Sequence, residues 1–571
     1  MQLRVRRCVN PIGMEQDALN EPCFWFLCFT KVAASEPKFF GFSEFLAGLA
    51  LMVLAWTIAD LSYKFRIETA PIPLRKITFY MVSVVGFLTL LTDLWRAEEW
   101  LVPRGHLFTP STWQASLGVL FLSTFLLWAW YAFIRPPIFD RRSAKNFVRA
   151  VYKAVFKGSY AELVVVADEL IRSSDGIVNY SIIKNSSRVH EVDPSKRERD
   201  KPDVAIYANE LLLLLSEKKL CKAIVDASPA TAIRVFMAVK KQNKYPPALR
   251  VFSKNVLNQA LVSRESFMYH ETGGYNSGLI AHHKPLSHAM FSSHSMVERI
   301  GSMFELDLWG EFDFGPPQWE AYCRVVLITY RDKVTCNFWG ESNSLDNAFD
   351  NIKTAVNKLY KLSAPEFSLE TDSIKNLKLV LGFIKSAIGI LEEVGVPEFL
   401  PVRKRGRFDT HYDQLSKLLF EVLQCAGGIR SPSSLTWWVQ YNLVWGEIFG
   451  PLSTEGAASK VVGHKLRRLI YDEIQCMRQF PNFKGAKCIS FLISVVGFLP
   501  IKSNTRHETI VRRMVVDWFK GAYVELYCRN PKVAAQCLSG DLEFDEIRSR
   551  VIKTYAPNAL RPKPRKVYLQ L

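Results

Sequence analysis

Three segments near the start of the chain are almost free of polar residues, and they set the first expectation. Residues 39–63, FFGFSEFLAGLALMVLAWTIADLSY, carry Glu44 and Asp60 as their only charges. Residues 77–95, ITFYMVSVVGFLTLLTDLW, carry Asp93 alone, and residues 111–134, STWQASLGVLFLSTFLLWAWYAFI, carry none. A helix rises about 1.5 Å per residue and a hydrocarbon core is about 30 Å thick, so about 20 apolar residues cross it. The pattern therefore predicts three transmembrane helices within 39–134. Trp95, Trp113, Trp128 and Trp130 stand where interfacial aromatics anchor a span. The first segment starts too late, runs too long and lacks a small-residue cleavage site, so it reads as a retained span and not a signal peptide. The aromatic run CFWFLCF at 23–29 is too short to cross and is expected to lie at the interface within an N-terminal segment 1–38.

Beyond residue 134 the apolar positions recur at helical spacing. YAELVVVADELI at 160–171 places Leu163, Val166 and Leu170 on one face, and Leu345, Phe349, Ile352, Val356 and Leu359 form another apolar stripe. The pattern divides into a juxtamembrane and first helical region (135–262), a His/Gly-rich mixed region (263–365), a second helical region (366–546) and a basic tail (547–571). FELDLWGEFDF at 304–314 alternates apolar and polar residues and predicts a short extended insertion. CISFLISVVGFLPI at 488–501 is too short for a fourth span and reads as a core helix. The expected fold is mainly α: three N-terminal transmembrane helices and a large multi-helical cytoplasmic region.

Composition adds exclusions. With 49% hydrophobic and 22% charged residues the chain is not disordered, and 29 Gly and 28 Pro exclude a collagen-like or low-complexity protein. Eleven scattered cysteines without a C-x-x-C argue for free thiols in a reducing compartment and against a disulfide framework. The formal charge of +18 suggests nucleic acid until it is located. Residues 1–157 hold 18 basic and 11 acidic side chains, 547–571 hold seven basic and no acidic ones, and the other 389 residues total only +4. The excess is a membrane-topology signal and a basic end, both suited to anionic headgroups, at 135–157 and in the tail. Nucleic acid is not expected as a partner.

With three spans, the 64–76 loop and the 135–157 stretch share one side and together present eleven basic residues, against seven at most on the other. The positive-inside rule then places the N-terminus outside and the large C-terminal part in the cytoplasm, in a plasma or inner membrane.

The candidate chemistry is sparse. Ionisable groups at membrane depth are functional candidates by default, which singles out Glu44, Asp60 and Asp93, although each lies near a span end. Five of the ten histidines, His270, His282, His283, His288 and His294, fall within 25 residues and are the candidate ligands for a divalent metal such as zinc. No H-E-x-x-H is present, since His270-Glu271 is followed by Thr-Gly-Gly. The segment GGYNSG offers Gly273, Gly274, Tyr275, Asn276 and Gly278 as a ligand- or partner-binding loop, and no Lys-Thr follows to make it a P-loop.

Three functional classes follow. The favoured one is a membrane-tethered scaffold, sensor or effector whose cytoplasmic domain binds another protein or a ligand, with a homo-oligomer allowed and no catalysis required. The second is a membrane-anchored metal-dependent hydrolase built on the 270–294 loop. The third is a ligand-triggered channel or membrane-permeabilising effector.

Overall fold

The protein is seen in a computed structural model that describes residues 23–24, 27–31, 39–58, 60–104, 109–181, 203–264, 266–272, 285–307, 314–363, 370–397, 409–429, 433–449, 456–499, 506–538, 540–555 and 563–571. Apolar periodicity resolves into a mainly helical chain with few strands. The chain divides into two compact units, Met1–Ile182 with Val189–Leu214 and Ile183–Arg188 with Leu215–Leu571.

The first unit contains α1 (Phe42–Ile58), α2 (Leu61–Thr69), α3 (Leu74–Ala97), α4 (Pro110–Ala129), α5 (Ala144–Lys157), α6 (Tyr160–Leu170) and α7 (Ser174–Tyr180), with α8 (Asp203–Leu215) at its end. Two helices are long and apolar enough to cross a membrane: α3, and α4 with the π-helical turn Trp130–Ile134 that extends it. The first expected span is not one straight helix. α1 stops after 17 residues, about 25 Å of rise, and α2 departs at 105°. Hydrophobic periodicity runs through such a break without recording it, because it reports which faces are apolar and not where the axis turns.

Phe45, Val85 and Leu117, one from each of α1, α3 and α4, form a buried seam. At Gly86 the Phe45 ring comes so close that an added Cβ would sit 2.7 Å from it, so α1 and α3 meet here only because position 86 has no side chain. The outer faces carry Leu51, Leu54, Phe79, Phe87, Leu122 and Leu126, all exposed. The aromatic run at 23–29 contributes strands: β1 (Cys23–Phe24) and β2 (Leu27–Lys31) form an antiparallel sheet with β3 (Leu101–Arg104).

The second unit is a helical assembly of α9 (Lys218–Ala227), α10 (Pro229–Gln242), α11 (Ala248–Val262), α12 (Phe267–Thr272), α13 (Pro285–Phe291), α14 (His294–Ile300), α15 (Pro316–Thr335), α16 (Asn343–Val356), α17 (Asp372–Val394), α18 (His411–Ala426), α19 (Ser433–Trp437), α20 (Ala457–Gln479), α21 (Phe483–Val496), α22 (Arg506–Arg529) and α23 (Pro531–Gln536). α15 packs along α17 and α18 along α20. The expected 488–501 stretch is core over its helical part: Cys488, Ile489, Phe491, Leu492 and Ile493 on α21 are fully buried.

Two expectations about extended structure change. The 304–314 segment shows no strand over its described residues, 304–307 and 314. Phe304 is instead buried against Phe291 and Tyr322. The basic end is not a bare tail. β4 (Leu542–Asp545), β5 (Arg550–Tyr555) and β6 (Arg565–Gln570) form an antiparallel sheet in the order 4-5-6. Val567 and Leu569 alternate with exposed Lys566, Tyr568 and Gln570, the period of two that a half-buried strand requires.

Candidate functional site

The three acids of the apolar segments all accept backbone N–H bonds at helix starts. Asp93 reaches across from α3 to accept from Phe42 N at 3.0 Å, and Glu44 accepts from Gly41 N at 2.9 Å and from the Ser43 hydroxyl. Together they serve the N-terminus of α1, where four backbone donors lack intrahelical partners and the helix dipole favours a carboxylate. Asp60 is the N-cap of α2, accepting from Leu61 N at 2.7 Å. These carboxylates define where two helices begin, including the helix that starts at the bend.

Beyond that bend, α2 is held by partly buried polar contacts. Arg66 on α2 donates its Nε (2.9 Å) and Nη2 (2.5 Å) to Glu169 on α6 and its Nη1 to the Ala132 carbonyl (3.0 Å). Only 15% of the Arg66 side chain and 9% of the Glu169 side chain are exposed. Asn146 on α5 donates to the Ala70 carbonyl at 2.7 Å. Ile67, Ala70 and Leu74 pack with Trp128 and Ala132 at the end of α4. α5 and α6 are therefore a fixed continuation of the helices that carry the apolar surface.

The outward face of α5 bears Lys145, Arg149, Lys153 and Lys157 with exposed Tyr152 and Phe156, whose rings lie 4.6 Å apart. Its inward face is Phe147, Ala150, Val151, Ala154 and Val155. Charges interleaved with exposed aromatics on one helix face suit an anionic interface.

The histidine-rich segment is only partly described. His282, His283, Gly273, Gly274, Tyr275, Asn276 and Gly278 lie outside the described residues. His270 is exposed on α12, His288 is exposed on α13, and His294 is buried at the first position of α14. Glu271 is buried and accepts from Leu286 N (3.1 Å) and Ser287 N (2.8 Å), so it clamps the base of the intervening segment and caps α13. Among the described residues no group of three or more His, Cys, Asp or Glu is placed to hold a metal ion.

His294 belongs to a polar cluster around the α15–α16 connection. Its Nε2 lies 3.0 Å from Ser342 Oγ, and its backbone N–H donates to Asp332 at 2.8 Å. The Ser–His contact resembles a nucleophile with its base, but its other bonds assign it differently. Ser342 is fully buried, donates to Glu298 at 2.7 Å and N-caps α16 by accepting from Leu345 N. Its oxygen is therefore committed to structure.

Nearby, Lys333 is 1% exposed, and burial pulls its amine down to about 8 although Asp346 and Glu298 oppose this. His411, enclosed by Tyr330 and Trp339 and bonded to the Phe338 carbonyl, is pulled down to about 3 by burial and by Lys333. His294 is also lowered, chiefly by burial. Both imidazoles are thus neutral near pH 7 and serve as hydrogen-bonding core groups. Sequence reading passed over this cluster. The available signal was spacing: Tyr322, Val326, Tyr330 and Lys333 recur on the buried face of α15, and a lysine on an apolar stripe marks a buried cation.

Comparison with family models, with curated proteins and with solved structures finds no match for this chain.

Proposed function

We propose that the chain is an integral membrane protein that crosses the bilayer three times and presents a large helical cytoplasmic region for binding another protein or a ligand, acting as a scaffold, sensor or effector. The observation that carries this reading is the apolar exterior of α3 and α4, continued without a flexible joint into α5 and α6 through the Arg66–Glu169 pair. α1, although short, is counted as the first crossing. The basic face of α5 would lie against anionic headgroups on the cytoplasmic side, which puts the N-terminus outside. Glu44, Asp60 and Asp93 bond backbone groups, so they lend no support to the channel reading.

The test is alkaline extraction of membranes combined with protease protection of epitope tags at the N-terminus, between Glu98 and Glu99, and at the C-terminus. Retention in the pellet is expected, with the first two tags outside and the third inside. Release by alkali refutes the membrane reading, and an N-terminal tag on the inside makes α1 a re-entrant segment. Stoichiometric zinc in the purified full-length protein, lost in the H282A/H283A variant, would replace the binding role with the hydrolase.

A further inference from the structure

We propose that the groove between α1 and α3 binds one anionic phospholipid, its phosphate held by Arg75 and Lys76 and an acyl chain lying along the groove. The inference rests on the membrane reading above. The groove has a volume of about 1060 Å³, just above the about 300–1,000 Å³ typical of ligand pockets. Its walls are Leu49, Met52 and Trp56 from α1 with Phe79, Phe87 and Leu90 from α3. From Lys76 to Leu90 the α3 wall rises about 21 Å, enough for an extended acyl chain.

Charge gives the groove a direction. Arg75 and Lys76 stand together at one end, both exposed, and neither forms an ion pair with a described residue. At the other end, past Phe42 and Leu90, the carboxylates of Glu44 and Asp93 are already bonded at the start of α1, and Arg96 follows one turn further along α3. A long apolar trough with two cations at one mouth and two carboxylates beyond the other accepts an anionic amphiphile in one orientation. A fatty acid or a free phosphate satisfies only part of that surface, whereas a phospholipid matches both the trough and the cation pair.

Native mass spectrometry of the full-length protein, equilibrated in micelles with equal phosphatidylglycerol and phosphatidylcholine, tests this. One retained phospholipid per chain is expected, with roughly thirtyfold preference for the anionic lipid from two nearby cations. R75Q/K76Q should abolish the preference, R75K/K76R should keep it, and R513Q/K520Q, which alters exposed charges of the second unit outside the groove, should leave it unchanged. S83W, which places a ring in the groove, should remove the lipid. Circular dichroism checks that each variant remains helical, and if R75Q/K76Q does not, S83W decides. Equal retention of both lipids, unchanged preference in R75Q/K76Q, undiminished binding in S83W, or recovery of a fatty acid in place of phospholipid would each overturn the proposal. Release of the wild type by alkali refutes the membrane reading as well, whereas membrane retention with indifferent lipid binding refutes this inference alone.

Discussion

Replacing Arg66 with alanine tests whether the bend after α1 is a rigid joint. The substitution removes a guanidinium that donates twice to Glu169 and once to the Ala132 carbonyl, in a site where both charged side chains are largely withdrawn from water. Glu169 is then left as a buried carboxylate without its cation, a loss of about 3–5 kcal/mol. For a unit of about 200 residues each kcal/mol moves the melting midpoint by about 2–4 °C, so a fall of roughly 6–20 °C is expected. R66K keeps the charge but not the planar fork, and should fall between wild type and R66A. R66M/E169L removes both charges and should recover most of the loss, since replacing a buried pair by apolar residues is often neutral. The assay is thermal unfolding of the full-length protein in detergent, read by fluorescence and by the fraction still monodisperse after heating. The exposed pair Lys153–Glu68, with 65% and 42% of its side chains accessible, is the control, and K153A should change stability by no more than about 1 kcal/mol. A penalty for R66A below about 1 kcal/mol, or one that disappears in about 0.5 M salt, would show a solvated pair and refute the reasoning.

Three further outcomes are expected. Lys333 has a folded-state pKa of about 8, below its unfolded value of about 10.4, so the unfolded chain binds more protons between these limits and stability rises with pH there. K333M should therefore be more stable than wild type at pH 7, with the difference shrinking toward pH 10; a constant difference in urea midpoints would contradict the burial argument. His411, held near 3, is depressed below its unfolded value of about 6.5, so its contribution is complete above that pH and is lost as pH falls toward 3. H411F, which keeps a ring beside Tyr330 and Trp339, should lose less stability than wild type between pH 6.5 and 5, as measured by unfolding midpoints; equal losses would mean the imidazole is hydrated. Deleting residues 563–571 removes β6 from β5 and with it the burial that Val567 and Leu569 contribute, at about 1.5–3 kcal/mol for each side chain. A melting midpoint unchanged by that deletion would restore the picture of a loose basic tail.

The helices after residue 134 were legible because each buries one face, and the apolar residues on that face recur every three or four positions. The predicted stretch 160–171 contains α6 (Tyr160–Leu170), and the stripe that begins at Leu345 lies on α16 (Asn343–Val356). The length argument identified α3 and α4 as candidate spans for the same local reason. The candidate site was far less legible. Asp93 was visible as an acid in an apolar segment, but its partner, Phe42 N, lies 51 residues away. The His294–Ser342 contact spans 48 residues, and the histidine cluster gave no hint of it, because closeness in sequence is not closeness in space.

By itself the sequence determined that this chain is mainly helical, that it carries segments able to cross a membrane, and that its charge is concentrated at its ends. Each follows from composition and short-range periodicity. Tertiary structure decided that the first apolar segment bends at Asp60, that Arg66 is buried against Glu169, that the basic C-terminal residues form a sheet, and that Arg75 and Lys76 stand at the mouth of an apolar groove. Each of these depends on which distant side chain meets a given charge, and a carboxylate or guanidinium beside its partner is written in the same letter as one in water.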